Sequence, residues 1–133
     1  MEFVENPLDH VQTQSKAVQG GIQKKCDLWA YIWDSTWILT LLLDTADFQQ
    51  RLRGSSVLEV GAGYGIASIA AVLLGATSVT ATDFMPDAVE CISRNAQRNG
   101  ICADTLTTFV LDWHAATYPA ALENAYDVIL ASD

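Results

Sequence analysis

Positive charge is scarce in this chain: seven Lys plus Arg stand against sixteen Asp plus Glu, a net charge of −9 over 133 residues. Such a balance repels a phosphate backbone and removes nucleic acid as an expected partner, whereas a lysine-rich or arginine-rich protein would be attracted. Cysteine is scarce too. Cys26, Cys91 and Cys102 are odd in number and show no Cys-x-x-Cys spacing, which argues against a disulfide framework or a zinc site and leaves buried, reduced thiols as the expectation. No apolar run approaches the roughly 18 residues of a membrane span. The start, Met1-Glu2-Phe3-Val4-Glu5, lacks the basic and apolar regions of a signal peptide. A soluble chain in the cytoplasm, with the nucleus as a second compartment, no membrane partner and no metal, is expected. Apolar residues, by contrast, make up half of the sequence, enough for one globular domain with a buried core.

One stretch organises the rest. Val57-Leu58-Glu59-Val60 is a short apolar strand running into Gly61-Ala62-Gly63-Tyr64-Gly65, and a helix begins near Ile66. Glycines let a backbone turn sharply and approach a ligand, and the helix start behind them offers unpaired N–H groups. A dinucleotide loop would read Gly-x-Gly-x-x-Gly, but its last position here is Ile66. Glu59, two residues before the first glycine, would repel a pyrophosphate and suits a cofactor carrying an ammonium and a sulfonium. S-adenosylmethionine is therefore favoured over NAD.

Around this loop the chain reads as alternating strands and helices. Residues 1–30 form an N-terminal arm with a candidate edge hairpin: Gly20-Gly21 punctuates it, and Ile22 to Trp29 suits a strand. Residues 31–133 form the half-domain proper. Asp34 or Ser35 is placed to cap a helix whose stripe Trp37, Ile38, Leu41 and Leu42 predicts burial. Trp29, Tyr31, Trp33 and Trp37 cluster beside it, as core residues or as part of a site. Arg51 to Ser56 reads as a polar loop. The helix Ile66 to Leu74 ends at Gly75, and strand Val79 to Thr82 closes on Asp83. That carboxylate lies 22 positions after Gly61, where it can accept bonds from both ribose hydroxyls; its structural alternative is a helix cap. Pro86 opens a helix with stripe Val89, Ile92 and Ala96, ended by Asn99-Gly100, and Arg94 and Arg98 form a solvated face. Strand Leu106 to Leu111 precedes Asp112-Trp113-His114, and a short helix around Pro119 to Asn124 leads to strand Asp127 to Ala131, with Ser132 and Asp133 at its end.

Taken together, the Trp33 helix entrance, Val57 to Gly65, Thr82-Asp83, Asn95 with Asn99, Leu111-Asp112-Trp113 and Ile129 to Asp133 resemble the protein-lysine methyltransferase branch of the seven-strand class I methyltransferases. The resemblance runs from Trp29 to Asp133, with departures at Tyr64, where many members have Thr or Cys, and at His114, where Gly is usual. It implies an α/β, Rossmann-like parallel sheet represented by its first four strands in order 3-2-1-4, with an N-terminal helical or hairpin extension. It assigns Trp33 to the wall of the cofactor site, Gly61, Ala62 and Gly63 to the methionine end and Asp83 to the ribose, with Glu59, Gly65, Phe84 and Asp112 as further cofactor-binding residues. Trp113 would lie by the adenine and Ser132 against the cofactor from strand four, while Asp133 matches the acidic residue near the reacting centre. His114 is more readily structural than a base.

The implied function is transfer of a methyl group from S-adenosylmethionine to a lysine of a protein; the alternative is a non-catalytic cofactor-binding or interaction remnant of the same fold. An oxidoreductase ranks below both, since no Tyr-x-x-x-Lys set is present. A seven-strand sheet would continue beyond strand four, so the chain reads as a fragment. Its fourth strand, apolar on both faces, offers an edge for self-association.

Overall fold

The computed structural model describes residues 27–115, 118–123 and 125–132. The expected arm up to residue 26, Cys26 and Asp133 lie outside these residues. Four helices and four strands follow in the order α1 (Asp34–Leu43), α2 (Ala46–Leu52), β1 (Ser56–Val60), α3 (Ile66–Leu73), β2 (Ser78–Asp83), α4 (Pro86–Arg98), β3 (Leu106–Val110) and β4 (Val128–Ala131). All strand pairs are parallel and the sheet order is β3-β2-β1-β4, as the sequence leads one to expect.

The core follows from strand alternation. Val57, Val79, Ala81, Leu106 and Leu130 share one face of the sheet, where they pack with Ile69 and Ala71 of α3 and Ile92 and Ala96 of α4. Helix α3 fits close to the strands because its apolar residues are small or branched, and it stops in a Schellman turn: Gly75 N–H donates to the Val72 carbonyl and Ala76 N–H to that of Ala71, both at 3.0 Å. Helix α4 starts with Pro86 in its first turn. Its buried face adds Ala88, Cys91 and Asn95 to the expected Ile92 and Ala96, while Val89 is only half-buried. Arg94 and Arg98 face solvent as expected.

Several local expectations are corrected. The Ile22 to Trp29 strand, where described, is a single 3-10 turn over Asp27–Ala30, and the Pro119 to Asn124 helix is a 3-10 turn over Ala120–Leu122. Part of the Arg51 to Ser56 loop belongs to α2, which ends at Leu52, and Ser56 already lies in β1. Asp47 in the first turn of α2 and Arg51 in the last complement its dipole. The N-cap of α1 is neither Asp34 nor Ser35: Trp33 occupies it without a side-chain bond to the helix, and Asp34 is the first helical residue. Nor is α1 largely buried. Trp37, Ile38, Leu41 and Leu42 are exposed, because α1 packs on α3 and α2 and only Leu43 is buried. Cys102 is exposed, unlike Cys91.

At the sheet's edge, β4 is joined to β1 at its start by Asp127, whose Oδ2 accepts both the Ser56 N–H and the Ser56 hydroxyl at 2.8 Å. These two bonds hold the Asp127 carboxyl below the usual carboxylate range. Ile129 on this strand is exposed. Among the described residues no helix is long and apolar enough to cross a membrane.

Candidate functional site

The carboxyl ends of parallel strands, with the loops that follow them, are where an open α/β sheet forms a crevice. Here β1 leaves Val60 and turns through the glycine stretch into α3. The Ala62 N–H donates to the Thr82 carbonyl at 2.8 Å, and the Gly63 N–H to Asp83 Oδ2 at 2.9 Å. The other Asp83 oxygen accepts the Met85 N–H, also at 2.9 Å. The carboxylate ending β2 therefore shapes the loop ending β1, and each of its oxygens retains a further acceptor direction.

A cavity of about 520 Å³ opens beside this junction. One side is formed by Gly61, Ala62, Gly63 and Tyr64 of the loop, Asp83, Phe84 and Met85 after β2, and Trp113 and Ser132 beyond β3 and β4. The segment Leu28 to Trp33, with Thr36, supplies the opposite wall. Tyr31 and Trp33 there pack edge to face, with ring centroids 5.0 Å apart. The two walls meet at Gly63: at φ +53 it lies in the left-handed region, and an added Cβ would stand 3.0 Å from the Trp29 carbonyl oxygen. On the far side, a Cβ on Gly61 would stand 3.7 Å from the Trp113 ring.

Of the residues singled out from sequence, Trp33, Gly61, Ala62, Gly63, Asp83, Phe84, Trp113 and Ser132 are thus brought to one cavity. Glu59, Gly65 and Asp112 are not. Glu59 is 2 % exposed and turns under α3, where its Oε2 accepts the Ser68 N–H at 2.8 Å and the Ser68 hydroxyl. The helix cap Gly65 has no side chain to offer, so Glu59 satisfies a first-turn donor from the neighbouring strand. Burial pushes its carboxyl up to about 7, against the lowering effect of the Ser68 bonds and with a smaller contribution from the charge of Asp83. Gly65 is a packing residue: at φ +74, an added Cβ would lie 2.7 Å from Ile92 Cγ2. Asp112 acts one step away, its Oδ1 accepting the His114 N–H at 2.8 Å in the turn that presents Trp113. His114 itself is exposed.

Leu28, Ile32, Thr36, Tyr64, Ile66 and Met85 also line the cavity, without a sequence pattern that marks them for it. The aromatic run Trp29 to Trp37 is the signal in the sequence for the second wall, and Tyr64 stands out there only as a departure from the family pattern. Asn95 gains a defined task, since its Nδ2 donates to the Tyr64 carbonyl at 3.0 Å. Among the described residues no group of three or more His, Cys, Asp and Glu is arranged to hold a metal.

Known proteins share this framework. Protein-lysine methyltransferase METTL21E of Mus musculus is 36 % identical over 109 residues, which is 78 % of this chain and 43 % of that protein. Ribosomal protein L11 methyltransferase of Pseudomonas putida is 46 % identical over 70 residues, 53 % of this chain and 24 % of that enzyme. A solved structure of ribosomal protein L11 methylase from Lactobacillus delbrueckii subsp. bulgaricus aligns with a TM-score of 0.53 and 31 % identity, over 76 % of this chain and 47 % of that one. The chain spans less than half the length of each of these proteins. The sequence profile of the lysine methyltransferase family matches residues 15–133, nearly the whole sequence, and the chain belongs to that family.

Proposed function

We propose that this chain forms the S-adenosylmethionine site of a methyltransferase that modifies a lysine side chain of a protein. The observation that carries the proposal is Asp83, a buried carboxylate that fixes the glycine loop while facing a cavity walled by aromatic rings. The residues present fit an adenosyl group. Asp83 keeps acceptor capacity for two vicinal hydroxyls, Gly61 and Gly63 line the cavity with backbone alone, and Trp113 and Phe84 offer flat apolar surface for a base.

When bound, S-adenosylmethionine supplies an activated methyl on a sulfonium sulfur. The protein's part is alignment and exclusion of water. Gly61 to Gly63 hold the methionine end, Asp83 the ribose, Trp113 the adenine, and Trp33 closes the side formed by the N-terminal segment. Ser132 adds a contact beyond β4, and Asp133 positions the attacking amine, which must be neutral to act as a nucleophile. The net charge of −9 favours a basic protein as substrate. METTL21E is named as a protein-lysine methyltransferase, which supports lysine as the acceptor. A cytoplasmic and nuclear location suits such substrates, and fractionation of cells expressing the tagged protein tests it.

The cofactor assignment is tested by calorimetry with Asp83→Asn and Asp83→Ala. Each charge-assisted bond lost is worth roughly 1.5–3 kcal/mol, so affinity for S-adenosylmethionine should fall about tenfold or more. Unchanged affinity in folded variants would remove Asp83 from the site. Mass spectrometry of a lysate incubated with the protein and labelled cofactor identifies the acceptor residue, and label found on nucleic acid rather than protein would overturn the substrate class.

A further inference from the structure

The two walls of the cavity differ in how they are attached. The sheet-side wall is continuous with β1, β2, β3 and β4. The opposite wall, Leu28 to Trp33, reaches the domain through a small apolar cluster separate from the main core, made of Ala30, Tyr64, Ile66 and Cys91 with Trp29 and Ile32 packed against it. At the centre of that cluster is Tyr64. Its phenol donates to the Ala30 carbonyl at 3.3 Å across 34 residues of chain, its ring lies 6.0 Å from that of Trp29, and its own carbonyl is held by Asn95 of α4. Tyr64 is 4 % exposed, so its hydroxyl bond forms out of water.

We infer that Tyr64 is a positioning residue that sets the width of the cofactor cleft, by pinning the aromatic wall that carries Trp33 to the glycine loop. The inference rests on the reading of the cavity as an S-adenosylmethionine site. One residue is fastened at three points: its backbone belongs to the loop, its carbonyl is bonded to α4, and its phenol holds the opposing segment. Movement of the wall away from the loop must break the phenol bond or drag the loop off Asn95. A ligand filling the cleft meets a gap set in advance, which saves the ordering cost of gathering a loose wall around it.

The test compares Tyr64→Phe, which keeps the ring and loses the hydroxyl, with Tyr64→Leu, which loses both. Expected dissociation constants for S-adenosylmethionine rise about threefold to tenfold in Tyr64→Phe and further in Tyr64→Leu. On a Trp33→Ala background the Tyr64→Phe effect should shrink toward nothing, because the wall it positions no longer offers the contact. A purely structural Tyr64 would give the same loss on both backgrounds, and that result overturns the inference. A second readout needs no cofactor. With Trp33, Trp37 and Trp113 replaced by Phe, Trp29 is the sole indole, and its quenching by acrylamide should increase in Tyr64→Phe; unchanged quenching overturns the anchoring itself. Absence of S-adenosylmethionine binding in the unmutated protein would instead sink the functional reading, and the quenching would still decide whether Tyr64 pins the wall.

Discussion

Helices α1 and α3 pack against each other and both are built largely of apolar residues, yet six residues of α3 from Ile66 to Ala71 are buried and only Leu43 of α1 is. Helix α3 lies between the sheet and α1, with a strand-borne carboxylate, Glu59, bonded into its first turn. Helix α1 has one covered side and an N-cap, Trp33, whose side chain makes no bond to the helix's first turn. The number of apolar residues therefore says little about depth; the layer in which a helix sits decides it. It also divides the labour in the cleft: α3 holds the loop in place by packing, whereas the segment leading into α1 supplies rings to the opposite wall.

The contrast can be broken most sharply inside α3. Ile69 is fully buried in the main core, so Ile69→Ala should lower unfolding free energy by about 2–5 kcal/mol through lost transfer energy and the cavity left behind. Urea denaturation measures it, and a loss below ~1 kcal/mol would mean that α3 is not the fixed layer described here. Next in size is the carboxyl beneath the helix. The folded value of Glu59 is raised from 4.5 to about 7, so folding favours its protonated form. Its contribution is full below pH 4.5 and lost as pH rises through 7, a change of about 3 kcal/mol. Between these limits the stability of the unmutated protein should fall relative to Glu59→Gln by that order. A difference independent of pH would show that the carboxyl titrates normally. The smallest effect belongs to α1: Leu41, 72 % exposed, has little to lose, and Leu41→Ser should change stability by no more than about 0.5 kcal/mol in the same denaturation experiment.

What could be read from the sequence divides along the same line. The strands, the glycine loop and Asp83 were legible because each is local: alternation, glycine spacing and a carboxylate closing a strand occupy a few adjacent residues. The sheet order came from the family resemblance. Eight of the eleven proposed cofactor contacts line the cavity: the glycine loop and Asp83 follow from local pattern, whereas Trp33, Trp113 and Ser132 follow from the resemblance. Where Glu59, Gly65 and α1 depart from expectation, the cause is tertiary. Glu59 shares a strand face with Val57, and alternation says so, but nothing local says that α3 covers that face. Gly65 looks like its neighbours in the loop until Ile92 arrives from another helix. The burial expected for α1 follows correctly from its stripe, and fails because the described elements cover only one side of it. Helix α2 is seven residues long, too short for a periodic pattern to stand out between Asp44 and Gly54.

The Ser56–Asp127 bonds span 71 residues, whereas the contacts Thr77–Ser55 and Thr80–Thr107 beside the other strand pairs span 22 and 27. Closing the longer loop costs more chain entropy, and β4 pairs with β1 at four positions against five between β1 and β2, so amides of β4 are expected to exchange faster than those of β2. Ser132 follows β4 directly and lines the cavity, which is therefore complete only with β4 docked on β1. A small molecule held there selects the docked state by mass action, and amide exchange in β4 should slow on binding more than exchange in β2. Folding of this edge and occupancy of the cleft are thus one linked equilibrium.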